Sequence, residues 1–464
     1  MTASSPHFAV VGHPNKGKSS IVATLAQDDT VYIERTSGST KAARSFPMKV
    51  DNDIIYELID TPGFQRARAT LAWLEHYCND VSQRQQAVKT FVEQHKDDPQ
   101  FLNECELLKP VIDGAGIIYV VDGSRPYGSE YEAEMEILRW TGQPSLAVIN
   151  PIDNDDYVEE WTAALGQYFK IVRVFNAHNA EFSKRINLLE VFGQLNMAWH
   201  KNLQQAVQLL TNERKRQHRQ ASDIIASMLV DLLQHKETQM VPQGLPTDPV
   251  KGVLFEKYKR YLQSHEQHSR RKIEETYAHY RLAREEDALD VIDSDLFNQD
   301  NWYLLGLDRK QLTYVAAAAG ASAGVMVDVA TGGHSLLLGS LIGGVAGAAS
   351  AWKFSDQLAE FSIRGIPTGG KTLSFGPVTH PNFPFVLLGR ALRHQHLICL
   401  RTHANRNTLT IEENQPLTEL SVKDRTSLMK MFKEIAKQKK TIENHQLISD
   451  LICTQLLLQD QINS

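Results

Sequence analysis

Eight residues near the start of the chain carry the clearest chemistry. Gly12-His13-Pro14-Asn15-Lys16-Gly17-Lys18-Ser19 fits the spacing G-x-x-x-x-G-K-S/T. A glycine loop of this kind lets backbone N–H groups converge on phosphate oxygens at a helix N-terminus. Lys18 adds a cation, and the Ser19 hydroxyl is a ligand for Mg²⁺. The pattern needs a strand before it and a helix after it. Here the apolar run Phe8–Gly12 precedes it and SSIVATLAQ, opening at Ser19-Ser20, follows.

Three further segments offer the residue types that complete such a site. Asp60-Thr61-Pro62-Gly63 closes the apolar run IIYELID. A carboxylate there can hold the Mg²⁺ shell, and the Gly63 N–H can sense a γ-phosphate. Between the two motifs lies the polar loop Thr36-Ser37-Gly38-Ser39-Thr40-Lys41. A hydroxyl of this loop closes over the ion; Thr40 is the choice and Ser39 the alternative. Asn150-Pro151-Ile152-Asp153 follows SLAVIN. Asp153 can accept from the guanine N1–H and N2–H₂, which adenine does not present, so it selects GTP over ATP. Asn176-Ala177-His178 would bring a backbone N–H to the guanine O6. Lys18, Thr40 and Gly63 are thus expected at the reacting phosphate, and Gly12 through Ser20 around the phosphates. Asn150, Asp153, Asn176 and Ala177 are expected at the base, and Ser19, Thr40 and Asp60 around Mg²⁺.

The elements that must position these residues are legible as alternating short apolar runs and amphipathic stretches over residues 1–200. That alternation predicts a doubly wound α/β sheet. Strands are expected at Phe8–Gly12, Ser45–Asp51, Ile54–Asp60, Ala115–Asp122, Leu146–Asn150 and Ile171–Asn176, and a helical insertion at about 66–110.

These motifs resemble those of the GTPase family that includes Era, TrmE and EngA, over roughly residues 7–200. The G-x-P-N-x-G-K-S loop and the D-T-P-G turn carry the likeness. The chain departs from the family at Pro151, where a lysine stem usually packs on the base, at Ser39-Thr40-Lys41 in place of T-T-R, and in its long insertion. Phe64 stands where Ras-like enzymes carry the glutamine that orients water, with Gln65 next to it. The resemblance therefore implies slow hydrolysis without an activating group. Asn15 matches the asparagine that binds K⁺ in potassium-activated members. A K⁺ there would set positive charge near the β/γ bridge, and the alternative is an asparagine that only stabilises the loop.

Beyond residue 200 the text changes. Residues 201–300 read as two long polar helices broken at VPQGLPTDP. Residues 301–464 read as a C-terminal domain containing an Ala/Gly-rich stretch, 311–352, with glycines spaced four apart around an Asp328–Gly333 tip. A helical hairpin is expected there, either associated with a membrane or packed as a soluble pair of small-residue faces. LTELSVKDRTSLMKMFKEIAKQKK is a basic amphipathic helix for lipid or for the domain surface. Glu130–Gly142 and Asp328–Gly333 also resemble phrases of bacterial proteins in which an Era-like GTPase precedes a domain of unknown function.

The net charge of −6 and 22% charged residues argue against a general nucleic-acid coat. Four unpaired-looking cysteines and the absence of a basic region before the first apolar run point to the cytoplasm, on the inner face of the membrane if the hairpin engages lipid. The expected function is a GTP-hydrolysing switch with GTP or GDP as ligand, coupled either to lipid through 311–352 or to a protein effector. The rival readings are an RNA- or ribosome-linked assembly GTPase and a nucleotide-binding scaffold with negligible turnover. Other candidates carry less. Gly365–Thr372 repeats the phosphate-loop spacing but has no strand before it and prolines after it. His394, His396, Cys399 and His403 have loose metal spacing, and Arg214–Arg219 reads as a helix surface.

Overall fold

The computed structural model describes residues 5–28, 30, 31, 40, 42–50, 53–78, 80–280, 282, 359–365, 370–405 and 420–462. The six expected strands form one sheet: β1 (His7–Val11), β2 (Arg44–Val50), β3 (Asp53–Asp60), β4 (Gly116–Asp122), β5 (Ser145–Asn150) and β6 (Val172–Val174). Their order is β2-β3-β1-β4-β5-β6. Only Asp51 and Asn52 separate β2 from β3, too few residues for a crossover, so this pair is antiparallel and the others parallel.

The parallel strands are apolar on both faces because both are covered. Phe8, Val10, Ile118, Val120, Leu146 and Val148 face one side, with α1 (Lys18–Ala26), α7 (Phe182–Leu195) and the start of α8 (Met197–Gln234). Ala9, Val11, Ile117, Tyr119, Val121, Ala147 and Ile149 face the other. There lie α2 (Ala67–Tyr77), α3 (Arg84–His95), α4 (Leu102–Ile112), α5 (Glu130–Thr141) and α6 (Val158–Leu165). The expected insertion is thus α2, α3 and α4.

Helix α8 is capped by the Asn196 side chain, which accepts from Ala198 N at 2.9 Å. Its 38 residues extend about 57 Å at 1.5 Å per residue. Leu203, Ala206 and Leu210 are buried against the first sheet, whereas Ala221 through Leu233 enter a second core. That second core is built with α9 (Asp248–Thr276), α10 (Phe383–Leu400), α11 (Val422–Ala436) and α12 (Thr441–Ile462). It also contains a three-stranded antiparallel sheet that the sequence reading did not expect: β7 (Glu237–Val241), β8 (Ala359–Gly365) and β9 (Lys371–Val378), in the order β7-β9-β8. β7 and β9 come together across more than 100 residues, which local text does not show, whereas β8 (AEFSIRG) alternates and turns back into β9 as a hairpin whose signal lies among glycines and prolines.

Arg214, expected on a helix surface, is 7% exposed. Its Nε donates to Asp460 Oδ2 at 3.0 Å and its Nη2 to the Cys399 carbonyl at 3.2 Å, which ties α8 to α12 and α10. His218 Nε2 lies 2.6 Å from the same carboxylate oxygen. His218, Cys399 and Asp460 come close enough to share an ion, but the Arg214 guanidinium sits 2.6 Å from the Cys399 sulfur and fills that space. Lys371 and Thr372 open strand β9 rather than a helix, so the second phosphate-loop spacing has the wrong context. Residues 366–369 of it lie outside the described residues, as does the whole 311–352 stretch. Among the described residues no helix is long and apolar enough to cross a membrane.

Candidate functional site

Strand β1 delivers the chain to a turn that only glycine can make. Gly12 has φ of +142°, and a Cβ there would lie 2.4 Å from the Val120 carbonyl oxygen. Gly17 has φ of +80°, and its Cβ would lie 2.2 Å from Asn150 Nδ2. Between them Lys16 is buried beside Asp122, at 4.0 Å, and burial lowers its pKa despite that carboxylate. Asn15 is exposed with φ of +59°.

Lys18 folds back so that Nζ donates to the His13 carbonyl at 2.9 Å. It is 7% exposed, and burial pushes its ammonium down to about 8 against the opposing charge of Asp60. Ser20 is buried in the first turn of α1. The loop therefore holds a desolvated amine and a helix N-terminus together, an arrangement suited to an anionic ligand.

Asp60 ends β3 at 4% exposure. Its Oδ2 accepts from Ser19 Oγ at 2.8 Å and from Thr40 Oγ1 at 3.3 Å. Burial raises the carboxyl pKa, opposed by the Ser19 hydrogen bond and by the Lys18 charge. Its Oδ1 is buried with no hydrogen-bond partner among the described residues. Two hydroxyls and one carboxylate, whose Oδ1 is the orphaned buried oxygen, form an all-oxygen donor set, which fits Mg²⁺. Of the polar loop, Thr40 is described and reaches Asp60; Thr36–Ser39 and Lys41 lie outside the described residues.

Gly63 approaches the phosphate loop so closely that a Cβ would lie 2.5 Å from Pro14 N. Phe64 N donates to the Gly12 carbonyl at 3.2 Å, and the Phe64 ring is 1% exposed in the core. Gln65 is exposed at the start of the turn into α2.

Asn150 joins two loops. Its Nδ2 donates to the Lys16 carbonyl at 3.3 Å and its Oδ1 accepts from Ala177 N at 3.1 Å. The Ala177 N–H expected to face a base is thus already engaged within the protein. Asn176 likewise serves its own loop: Nδ2 donates to the Pro151 carbonyl at 2.9 Å, and Oδ1 accepts from His178 N at 2.9 Å. Asp153 is exposed beside this pair of loops.

Three carboxylates escaped the sequence reading. Glu134, 1% exposed, accepts from Tyr119 Oη at 2.9 Å and lies 2.7 Å from His13 Nδ1; burial raises its pKa, opposed by His13. Glu104, 0% exposed, accepts from the N–H groups of Gln65 and Arg66 at 2.7 and 2.6 Å. Glu106 accepts from Ala43 N at 3.2 Å, three residues after Thr40. A signal existed for the first two: Glu104 shares the buried stripe of Leu107, Leu108 and Val111, and Glu134 that of Tyr131, Leu138 and Thr141. An acid at a core position of an amphipathic helix has to be paired.

A family profile described as "50S ribosome-binding GTPase" matches residues 7–151, and one described as "Domain of unknown function (DUF3482)" matches residues 162–456. The chain is 44% identical to GTPase Der of Mycoplasma pneumoniae over 59 residues, 13% of each protein. It is 23% identical to GTPase Der of Malacoplasma penetrans over 167 residues, 36% of this chain and 31% of that one. The chain thus spans about a third or less of the length of these curated relatives. Among solved structures, Era of Aquifex aeolicus bound to GDP·AlF₄⁻ aligns with 58% of this chain and 88% of its own, at 14% identity and a TM-score of 0.28. Era in complex with MgGDPNP and 16S ribosomal RNA aligns with 59% and 89%, at 14% identity and a TM-score of 0.26.

Proposed function

The chain belongs to the family defined by the domain of unknown function DUF3482, here behind an Era- and Der-like P-loop GTPase domain, and from that premise we propose a GTP-driven switch. The observation that carries the proposal is the meeting at Asp60 of a hydroxyl from the phosphate loop and one from the Thr40 loop. In such a switch the Thr40 loop and the turn that Asp60 opens are the two segments whose arrangement depends on a γ-phosphate, and Ser19 ties both to the phosphate loop.

In this reading Lys18 and the amides of Gly12–Ser20 hold the phosphates. Ser19, Thr40 and Asp60 would hold Mg²⁺, which when bound neutralises charge developing on the transferred phosphoryl group. The Gly63 amide faces the γ-phosphate. Asn150 holds the two base-side loops together and Asp153 accepts from the guanine edge. Hydrolysis is slow without an activator, because Phe64 is committed to the core and presents nothing to the water. Exposed Asn15 is the group that would take K⁺ and restore part of the missing charge. Helix α8, anchored in both cores, relays the nucleotide state to the C-terminal half, where a protein partner or a membrane surface contacting 311–352 receives it.

The test is titration with fluorescent guanine and adenine nucleotides in Mg²⁺ and in chelator, followed by multiple-turnover phosphate release in K⁺ and in Na⁺. Guanine binding that needs Mg²⁺ and falls at least about tenfold in Lys18→Ala supports the site. Asp153→Asn should transfer preference to xanthine nucleotides, because the amide donates where the carboxylate accepted. Failure to bind either guanine nucleotide sinks the reading. Liposome flotation with and without residues 311–352 separates lipid from protein as the receiver.

A further inference from the structure

We propose that the C-terminal half supplies a positioning residue for guanine binding: Thr402, which braces the Asn176–Asn179 loop from outside the nucleotide-binding domain. The proposal rests on the reading of that loop as the base-side wall.

Thr402 Oγ1 donates to the His178 carbonyl at 3.0 Å. One residue earlier, the Ala177 carbonyl accepts from Thr24 Oγ1 on α1 at 2.7 Å. Two successive carbonyls of the loop are therefore each held by a threonine hydroxyl, one from the helix behind the phosphate loop and one from the far domain. The Ala177 N–H is held by Asn150. Thr402 is 1% exposed, and Ala404, two residues on, lies at 1% exposure within the core under α1 and α7. The Thr402 side of the contact is buried, and His178 is half-buried.

Thr402 is itself fixed. Asn405 N donates to its carbonyl at 3.1 Å, and Arg401 Nη2 donates to the Asn405 carbonyl at 3.0 Å, closing a tight turn after α10. The last turn of α10 is gripped by Arg214 through the Cys399 carbonyl, and Arg214 is gripped by Asp460. Two sets of hydrogen bonds, joined by the three backbone steps from Cys399 to Thr402, thus connect α12 and α8 to the loop.

The brace matters because the other base-side loop is poor. Pro151 offers no backbone N–H and no long stem to lay on a base, so more of the base's retention falls on how rigidly the Asn176–Asn179 loop is held. A pre-ordered loop loses less freedom on binding, and that difference is read mainly as the dissociation rate.

The experiment compares the full chain with Thr402→Val, which keeps the shape and removes the donor, and with Thr402→Ser, which keeps the donor. One readout is release of a fluorescent GDP analogue into excess GDP; the other is amide hydrogen exchange of the 175–180 segment without nucleotide. Thr402→Val should release the analogue about three- to tenfold faster, as expected for one buried hydrogen bond. It should also exchange the loop faster and leave kcat at saturating GTP unchanged, and Thr402→Ser should restore both values. Wild-type values for Thr402→Val in both readouts overturn the proposal. Faster exchange with unchanged release shows a braced loop that does not retain the base, which overturns the guanine role. If the wild-type chain takes up no guanine nucleotide, the guanine-site reading fails separately, and the exchange rates alone decide whether Thr402 braces the loop.

Discussion

The Glu104 carboxylate on α4 accepts from the backbone N–H of Arg66 at 2.6 Å, at the point where the Asp60–Gly63 turn becomes helix α2. A buried acid from the insertion thus caps the helix that follows the candidate γ-phosphate sensor, where a negative charge also suits the helix dipole. Its neighbour Glu106 holds Ala43, just beyond Thr40. One helix thus grips the exits of the Thr40 loop and of the Asp60–Gly63 turn. Glu104→Ala leaves two N–H groups without their acceptor and should cost about 2–3 kcal/mol in urea unfolding. Glu104→Gln keeps an acceptor oxygen and should cost clearly less.

Nucleotide binding should take up a proton in mildly alkaline solution. Burial holds Lys18 down to about 8, so above that pH the empty site increasingly carries a neutral amine. Phosphate charge favours the ammonium and recovers the proton on binding. Calorimetry at pH 8.5 in two buffers of unlike ionisation enthalpy should show uptake, and at pH 6.5 should show none from this group. Equal heats after buffer correction at both pH values count against it.

Gly17→Ala should weaken nucleotide binding by at least about tenfold while leaving the far domain folded. The new methyl meets the Asn150 amide in a backbone conformation that alanine resists, so it strains the phosphate loop and its tie to the base side together. Thermal unfolding beside a binding titration separates the two effects.

Replacing Phe64 by the glutamine of Ras-like enzymes should not accelerate hydrolysis. The ring is 1% exposed within the core, so the amide would enter an apolar site at a cost of about 2–3 kcal/mol instead of reaching a water. An unchanged melting temperature with faster turnover would show that the turn can reorient.

Acid should loosen the joint between α8 and α12. Burial alone would raise the Asp460 carboxyl pKa, but the His218 hydrogen bond and the Arg214 charge hold it well below the ordinary carboxylate range. A depressed carboxylate stabilises the fold above its unfolded value, near pH 4, and that stability is lost as pH falls below it. Asp460→Asn should remove about 2 kcal/mol at pH 7, less than a fully buried pair because the side chain is 25% exposed. It should also flatten the decline between pH 4 and 2.

The phosphate loop, the Asp60 turn and six strands were legible because each is a local pattern. A strand buried on both faces is an apolar run, and a loop that must admit phosphate must carry glycine at set spacings. Phe64 was legible as a substitution, but its burial was not, since one residue cannot show which way a turn faces. The β7-β9-β8 sheet was missed for two different reasons: β7 joins β9 across more than 100 residues, whereas β8 (AEFSIRG) alternates and forms a hairpin with β9, a short local signal overlooked beside the glycines and prolines around it. Arg214 read as surface because its neighbours Lys215, Arg216 and Arg219 are charged; its partner is 246 residues away.

The sequence by itself determined the fold class of the first half and set the expectations for phosphate chemistry and for guanine. Those depend on residue types at short spacing, and the backbone geometry that uses them is local. Only the tertiary structure decided that Glu104 and Glu106 hold the exits of two loops, that Asp60 gathers both hydroxyls, and that Thr402 reaches the Asn176–Asn179 loop. Such contacts are set by how helices pack on a closed core. A hydrogen bond across hundreds of residues leaves no trace in either stretch of text beyond a polar residue where an apolar one was due.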